Sequence, residues 1–318
     1  MKKILSLAFI VTATVASSFG QELFLRLGLG YAFPQAGQSM YDTPIPYNGF
    51  PTGYNGSRNN TTSTETYNIK GASFSAGFQG ILGLGYMFNN NVGVQLDGAI
   101  GLSPAKYTFN DNNVNLNTVA SPLPGTISTI QRAKGPFILM PSLVLQTGGN
   151  PWCIYTRLGL ALPLNTKITQ DQVISNAPGT GAVTTDDFTW QITNSFSLGF
   201  TAAAGLKYKI NDRVSIWGEV SILSMSVYAK EQDLKTWVET DPVNGPQSYP
   251  VSSYPNAPNI KFSKTATVDS SLSNIPTYAQ PFSNVGVNFG VVFTLSKHEK
   301  RSRSSDIDGD TKKPYRRR

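Results

Sequence analysis

The feature that most constrains this chain is a strict alternation of large apolar residues with glycine or polar residues. The stretch LGLGYAF at residues 27–33 shows it, and LGLGYMF at residues 82–88 repeats it. A period of two residues is that of a β-strand whose two faces meet different surroundings. Paired glycines also suggest a dinucleotide-binding loop, but that fingerprint needs a third glycine and a following helix, which neither stretch offers. The alternation therefore predicts β-strands.

Eight segments share this alternation, and none of their apolar-face residues is charged. Each is long enough for a tilted transmembrane strand, which needs about 9–11 residues. We expect Phe74, Leu96, Leu158 and Val220 to be among the outward-facing apolar side chains. The segments are about 22–33, 72–88, 92–102, 137–147, 152–162, 195–210, 214–228 and 285–295.

The connections between these segments alternate between short and long. Three tight turns, rich in Asn and Gly, lie at 89–91, 148–150 and 211–213. Outer-membrane barrels combine short periplasmic turns, longer extracellular loops and an even number of antiparallel strands. A soluble sandwich would show the same alternation, but charged residues make up only 14% of this chain, against about 25% in soluble domains. The four long, polar links are 34–71, 103–136, 163–194 and 229–284.

The chain divides into three expected parts. Residues 1–20 combine Lys2 and Lys3 with a short apolar run and small residues before Gln21, which is typical of a secretory signal peptide. Residues 21–296 form the barrel domain, an all-β, eight-stranded antiparallel up-and-down transmembrane β-barrel. Residues 297–318 form a basic tail, which we expect to be disordered in the periplasm. Of the formal net charge of +7, the tail supplies +5 and the two lysines of the signal peptide supply +2, so the near-neutral body gives no indication of nucleic-acid binding.

Two stretches carry a resemblance to a known family. GLKYKINDRVSIWGEVSI at 205–222 resembles the strand–turn–strand hairpin of small outer-membrane β-barrel proteins of the porin-like, OmpA/OmpX/OmpW type. SNVGVNFGVVFTL at 283–295 resembles their last strand, although this chain continues beyond it. The resemblance implies a monomeric eight-stranded barrel in the outer membrane of a Gram-negative bacterium and implies no substrate.

Four charged residues fall on the inward face of alternate predicted strands. They are Arg26, Asp97, Arg157 and Glu219, and their distances from the strand starts place them at similar heights. A lone buried charge is strongly penalised, so opposite charges in a narrow lumen should pair. We therefore expect a polar network that closes the lumen and prevents steady ion conduction.

Aromatic residues near the strand ends predict a girdle at the two membrane interfaces, where amphipathic rings are favoured. The first strand ascends and the second descends, so the two repeats of the motif place their aromatics at opposite interfaces. The expected girdle residues are Tyr31, Phe33, Tyr86, Phe88, Trp152 and Tyr208.

Residues for catalysis or metal binding are scarce. The sequence has one histidine, His298, and one cysteine, Cys153. These two residues are too few for a metal site built from several His and Cys ligands, and they leave His298 as the one candidate for a His-based triad. We expect no catalytic residue, no cofactor and no metal, and we expect Cys153 to be a small inward-facing residue.

These observations favour a non-enzymatic outer-membrane protein that acts in surface interaction, envelope integrity or assembly with partner proteins. The alternative is a narrow pore or lateral conduit for small or hydrophobic molecules. The expected partners are outer-membrane lipid and an extracellular or periplasmic protein, with no nucleic acid, and the expected state is a monomer.

Overall fold

The computed structural model describes residues 22–35, 39–40, 70–115, 124–176, 183–253, 259–265 and 274–297. These residues form nineteen strands, numbered β1 to β19 in chain order, and a 3-10 helix at Val251–Ser253. The expected signal peptide and all but the first residue of the expected tail lie outside the described residues.

Eight of the described strands close into a barrel in which each strand pairs antiparallel with two neighbours. Their order around the barrel follows the chain, and the first and last strands pair from Glu22 with Lys297 to Pro34 with Asn284. The prediction of an eight-stranded up-and-down barrel is therefore confirmed. The barrel strands are β1 (Glu22–Pro34), β4 (Gly77–Met87), β5 (Val92–Pro104), β8 (Phe137–Gln146), β9 (Trp152–Asn165), β12 (Gly199–Lys209), β13 (Val214–Ser224) and β19 (Asn284–Lys297).

The outer surface of the barrel is apolar. Leu96, Leu158 and Val220 are 45%, 66% and 53% exposed, as the alternation predicted. Such exposure suits a bilayer, where apolar side chains contact lipid and a closed barrel leaves no backbone edge unpaired. No helix in the described residues is long and apolar enough to cross a membrane.

Three short turns share one end of the barrel, which we call the turn end; the opposite end is the loop end. In the first turn, Asn89 Oδ1 accepts hydrogen bonds from the backbone N–H groups of Asn91 and Val92, both at 2.8 Å. In the third turn, Asn211 Oδ1 accepts in the same way from Arg213 and Val214. Asn side chains that bind the backbone two or three residues ahead stabilise tight turns.

The second barrel strand begins later than the alternation predicted. Residues 72–76 precede β4 and are buried at the loop end. The expected placement of Phe74 on the lipid face is therefore wrong, because its side chain is fully buried. Its ring centroid lies 5.8 Å from that of Phe282 and 5.7 Å from that of Tyr107. The alternation misleads here because a segment buried on all sides can also contain large apolar residues at every second position.

The long links also contain regular structure, which their polar composition did not predict. Seven of their strands form one sheet at the loop end in the order β17-β16-β14-β11-β10-β7-β6, and β15 and β18 both pair with β14. The pairing is antiparallel except between β16 and β17. The link strands are β2 (Ser39–Met40), β3 (Lys70–Gly71), β6 (Lys106–Asn115), β7 (Pro124–Ala133), β10 (Ile168–Asn176), β11 (Thr184–Asn194), β14 (Ser226–Asp241), β15 (Gly245–Tyr249), β16 (Asn259–Ser263), β17 (Asn274–Pro276) and β18 (Ala279–Pro281).

The core of this loop-end sheet continues into the barrel. Phe188, Trp190 and Ile192 alternate along β11 and are buried on the inner face of the sheet. They belong to the same buried apolar cluster as Met140 and Met225, which lie on β8 and directly after β13. The loop-end sheet and the outer half of the barrel therefore share one core.

Candidate functional site

The interior of the barrel contains one layer of buried charges. Its members come from every second strand around the barrel, because β1, β13, β9 and β5 alternate with the other four barrel strands. Inward-facing residues on alternate strands can meet at one level of a barrel. The four are Arg26 on β1, Asp97 on β5, Arg157 on β9 and Glu219 on β13, and each is at most 4% exposed.

Arg157 bridges the two carboxylates. Its Nη1 donates to Asp97 Oδ2 at 2.7 Å, and its Nη2 donates to Glu219 Oε1 at 2.7 Å. Its Nε also donates to Glu219 Oε2 at 3.2 Å, which makes the contact with Glu219 bidentate. Bidentate pairing of a guanidinium with a carboxylate combines strength with fixed geometry.

Arg26 completes a ring of four charges. Its Nη2 lies 2.7 Å from Glu219 Oε2, and its Nη1 lies 3.6 Å from Asp97 Oδ2. Two cations and two anions thus alternate around the lumen, and the layer has no net formal charge. Mutual compensation is what permits four charges in a buried site, since an unpaired one would be strongly destabilising.

Neutral polar side chains support the charged layer. Gln95 Nε2 donates to both oxygens of Asp97 at 2.7 Å. Tyr155 Oη donates to Glu219 Oε2 at 2.9 Å, and Asn288 Nδ2 donates to Glu219 Oε1 at 3.2 Å. The carboxylates are therefore held by hydrogen bonds as well as by ion pairs.

Tyr155 and Trp217 are the members of the site that the sequence analysis missed. Both are buried, and the Arg26 guanidinium carbon lies 3.4 Å from the centroid of the Trp217 ring. The sequence contained a signal for both residues. Tyr155 lies two positions before Arg157, and Trp217 lies two positions before Glu219, so each faces the lumen like its charged neighbour. Aromatic residues of the predicted strands are considered in the sequence analysis only on the outward face, and six of them are placed at the membrane interfaces.

Apolar layers lie on both sides of the charges. Toward the loop end, Phe74 and Phe282 are fully buried, and the backbone N–H of Phe74 donates to the carbonyl of Pro281 at 2.8 Å. Toward the turn end, Phe24, Met87 and Val144 belong to a second buried cluster. Buried apolar side chains thus lie on both sides of the charged layer, together with buried polar side chains such as Ser75 and Asn284.

Cys153 lies close to the turn end. Its side chain is buried, and its Sγ–H donates to the carbonyl of Thr147 at 2.9 Å. Among the described residues, no three His, Cys, Asp or Glu side chains are grouped so that they could hold a metal ion.

The aromatic residues expected at the interfaces lie at the two ends of the barrel. At the loop end, the Tyr31 ring centroid lies 4.8 Å from that of Phe33 and 5.0 Å from that of Phe78. At the turn end, Tyr86 lies 5.5 Å from Phe88, and Trp152 lies 4.7 Å from Tyr208. The girdle assignment itself stays a prediction.

Comparison with known protein families agrees with this architecture. The family described as outer membrane protein beta-barrel domain matches residues 5–240. The chain belongs to this family. Family membership and the closed barrel together identify an outer-membrane β-barrel protein, whose closing strand β19 lies beyond the matched residues. No protein with a curated description matches the chain.

Proposed function

We propose that this protein is a sealed, non-enzymatic outer-membrane barrel whose work is interaction at the cell surface through its loop-end sheet. The observation that carries the proposal is the filled lumen. An eight-stranded barrel is narrow enough for side chains to occupy its interior, and here a charged layer lies between two apolar layers.

Passage of an ion would require the charged layer to open. Arg157 forms three hydrogen bonds to the two carboxylates, and Arg26 approaches the same carboxylates from the other side. Breaking a buried pair leaves uncompensated charge and costs about 3–5 kcal/mol. This barrier supports a closed barrel over the alternative of a narrow pore.

The loop-end sheet supports the surface role. Its outer face is polar, with Arg132 Nη2 lying 3.2 Å from Asp171 Oδ2 and Thr189 Oγ1 donating to Asp171 Oδ1 at 3.2 Å. Its inner face packs on the core that continues into the barrel. Recognition sites are commonly carried by connecting segments that a rigid scaffold positions. Because short turns face the periplasm in barrels of this kind, the sheet would face the outside of the cell.

Single-channel recording tests whether the barrel is sealed. Purified wild type in planar bilayers should show no steady conductance, and Arg157→Ala should add brief openings because it leaves Asp97 and Glu219 undercompensated. A stable conductance in wild type that Arg157→Ala leaves unchanged would favour the narrow pore.

Site-specific photo-crosslinking in intact cells tests the surface role. A crosslinker at Asp187, which is exposed on β11, should capture a surface partner, whereas one at Asn211 in the third turn should not give the same product. Identical products at both positions, or none at Asp187 in the native setting, would count against the sheet as the interacting surface.

A further inference from the structure

A second polar site lies at the turn end, separate from the charged layer. A cavity of about 300 Å³ is lined by the three turns and by the adjoining ends of β1, β4, β8, β9, β12, β13 and β19. This volume is at the lower limit of the range for small-molecule pockets, about 300–1,000 Å³. We call this cavity the vestibule. Its charged lining residues are Glu22, Lys207, Lys209 and Asp212.

Lys207 contributes a cation with spare donors to the vestibule. It is half-buried on β12, and its Nζ donates to Gln146 Oε1 at 2.9 Å. A lysine ammonium carries three N–H donors, and within the described part of the chain no carboxylate lies within ion-pair distance of this one. Two donors therefore remain available to a ligand.

Glu22 contributes an anion on another wall. It lies at the start of β1, and Thr294 Oγ1 donates to its Oε1 at 2.8 Å. In the strand order, β19 and β13 lie between β1 and β12. Glu22 and Lys207 therefore face the same cavity from separate walls without pairing with each other.

The other two charged lining residues neutralise each other. Lys209 Nζ lies 2.8 Å from Asp212 Oδ1, and Asp212 is mostly exposed at the rim. Met87 and Cys153 add apolar surface to the lining. Among the described side chains, the vestibule thus combines one cation and one anion that have no ion-pair partner with a small apolar patch.

We propose that the vestibule binds small zwitterions of amino-acid or dipeptide size, with the ligand carboxylate at Lys207 and its ammonium group at Glu22. A ligand with both charges would satisfy the two groups that the fold holds apart, and charge-assisted hydrogen bonds are the stronger kind. The charged and apolar layers block the route from the loop end, so the ligand would enter from the turn end. This proposal concerns the other end of the barrel and is independent of the surface role.

Calorimetric titration of the purified barrel in lipid nanodiscs tests the proposal. Glycylglycine should bind saturably, whereas acetylglycine, which lacks the ammonium, and glycinamide, which lacks the carboxylate, should bind more weakly. The loss should be at least about tenfold for each, because a hydrogen bond to a charged group contributes about 1.5–3 kcal/mol.

Two variants and one control locate the site. Lys207→Met and Glu22→Gln should each weaken glycylglycine binding by about tenfold or more. Lys235→Met is the control, because Lys235 lies on β14 in the loop-end sheet, where its Nζ is 3.1 Å from Asp233 Oδ2, and binding should not change. If Lys207→Met does not fold, the Glu22→Gln variant and the ligand series still test the proposal. Three results would overturn the proposal. They are a lack of saturable glycylglycine binding, binding of acetylglycine as tight as that of glycylglycine, and unweakened glycylglycine binding by a folded Lys207→Met or Glu22→Gln variant.

Discussion

Trp217 on β13 covers the guanidinium of Arg26 on β1 inside the barrel, with 3.4 Å between the guanidinium carbon and the ring centroid. The two strands are not neighbours, because β19 lies between them. Trp217 Nε1 also donates to the carbonyl of Leu27 at 3.3 Å. Within the described residues, Arg26 Nε has no hydrogen-bond partner. The ring therefore provides electrostatic compensation where a hydrogen bond is missing, and a desolvated cation–π contact contributes about 2 kcal/mol.

The first prediction concerns charge balance in the layer. Arg157→Met removes the cation that bridges Asp97 and Glu219, and we expect it to lower the free energy of unfolding by about 3–5 kcal/mol. The double variant Arg157→Met/Asp97→Asn retains one cation and one anion, so it should be less destabilised than the single variant. Urea unfolding in lipid vesicles measures these two variants and the single variant Asp97→Asn. A double variant that loses the sum of the two single losses would contradict the balanced layer.

The second prediction concerns the space beside Trp217. A Cβ at Gly28 would lie 2.8 Å from Trp217 Cη2 and 2.9 Å from the carbonyl oxygen of Phe289. Gly28→Ala should therefore destabilise the barrel by about 1–3 kcal/mol, the usual cost of overpacking. Gly218→Ala is the control, since its nearest neighbour would be 3.9 Å away. Equal unfolding midpoints for the two variants would contradict the assigned packing.

The third prediction concerns depth in the membrane. Leu158 lies within β9, whereas Trp152 begins the same strand at the turn end, and they are 66% and 60% exposed. An outward-facing Arg costs about 2–4 kcal/mol at mid-membrane but about 0–1 near an interface. Leu158→Arg should therefore destabilise the barrel more than Trp152→Arg. The Trp152→Ala variant measures the loss of the ring contact with Tyr208, and this loss is subtracted from the effect of Trp152→Arg before the comparison. The opposite ranking in vesicle refolding would reject the assigned depths.

The fourth prediction concerns alkaline pH. Partial burial of the phenol raises the pKa of Tyr278, in the link before β18, to about 12, although the hydrogen bond donated by Gln280 Nε2 opposes this. An unfolded tyrosine has a pKa of about 10. The stabilising contribution is complete below pH 10 and is lost as the pH rises toward 12, because the unfolded chain then releases the proton more readily. The difference in unfolding free energy between wild type and Tyr278→Phe should change by about 1.4 kcal/mol per pH unit in this window. A constant difference would refute the assigned burial.

The sequence by itself determined the eight barrel strands and the faces of most of their residues. In a β-strand, the face of a side chain depends only on whether its position is odd or even. Leu158 and Arg157 could therefore be assigned to opposite faces without knowledge of their neighbours. The glycine- and asparagine-rich turns similarly carry local chemistry that requires no tertiary contact.

The tertiary structure decided which inward residues meet. The stagger of neighbouring strands places Arg157 opposite Val144 and Ala203, so the height of each charge depends on pairing register around the whole barrel. Parity also could not reveal that Phe74 lies in a buried segment before β4, or that Trp217 reaches across to Arg26. Alternation predicts only which of the two faces of one strand a side chain occupies. The lumen, the vestibule and the loop-end core are formed by strands that are distant in the sequence. Their contacts exist only after the barrel closes.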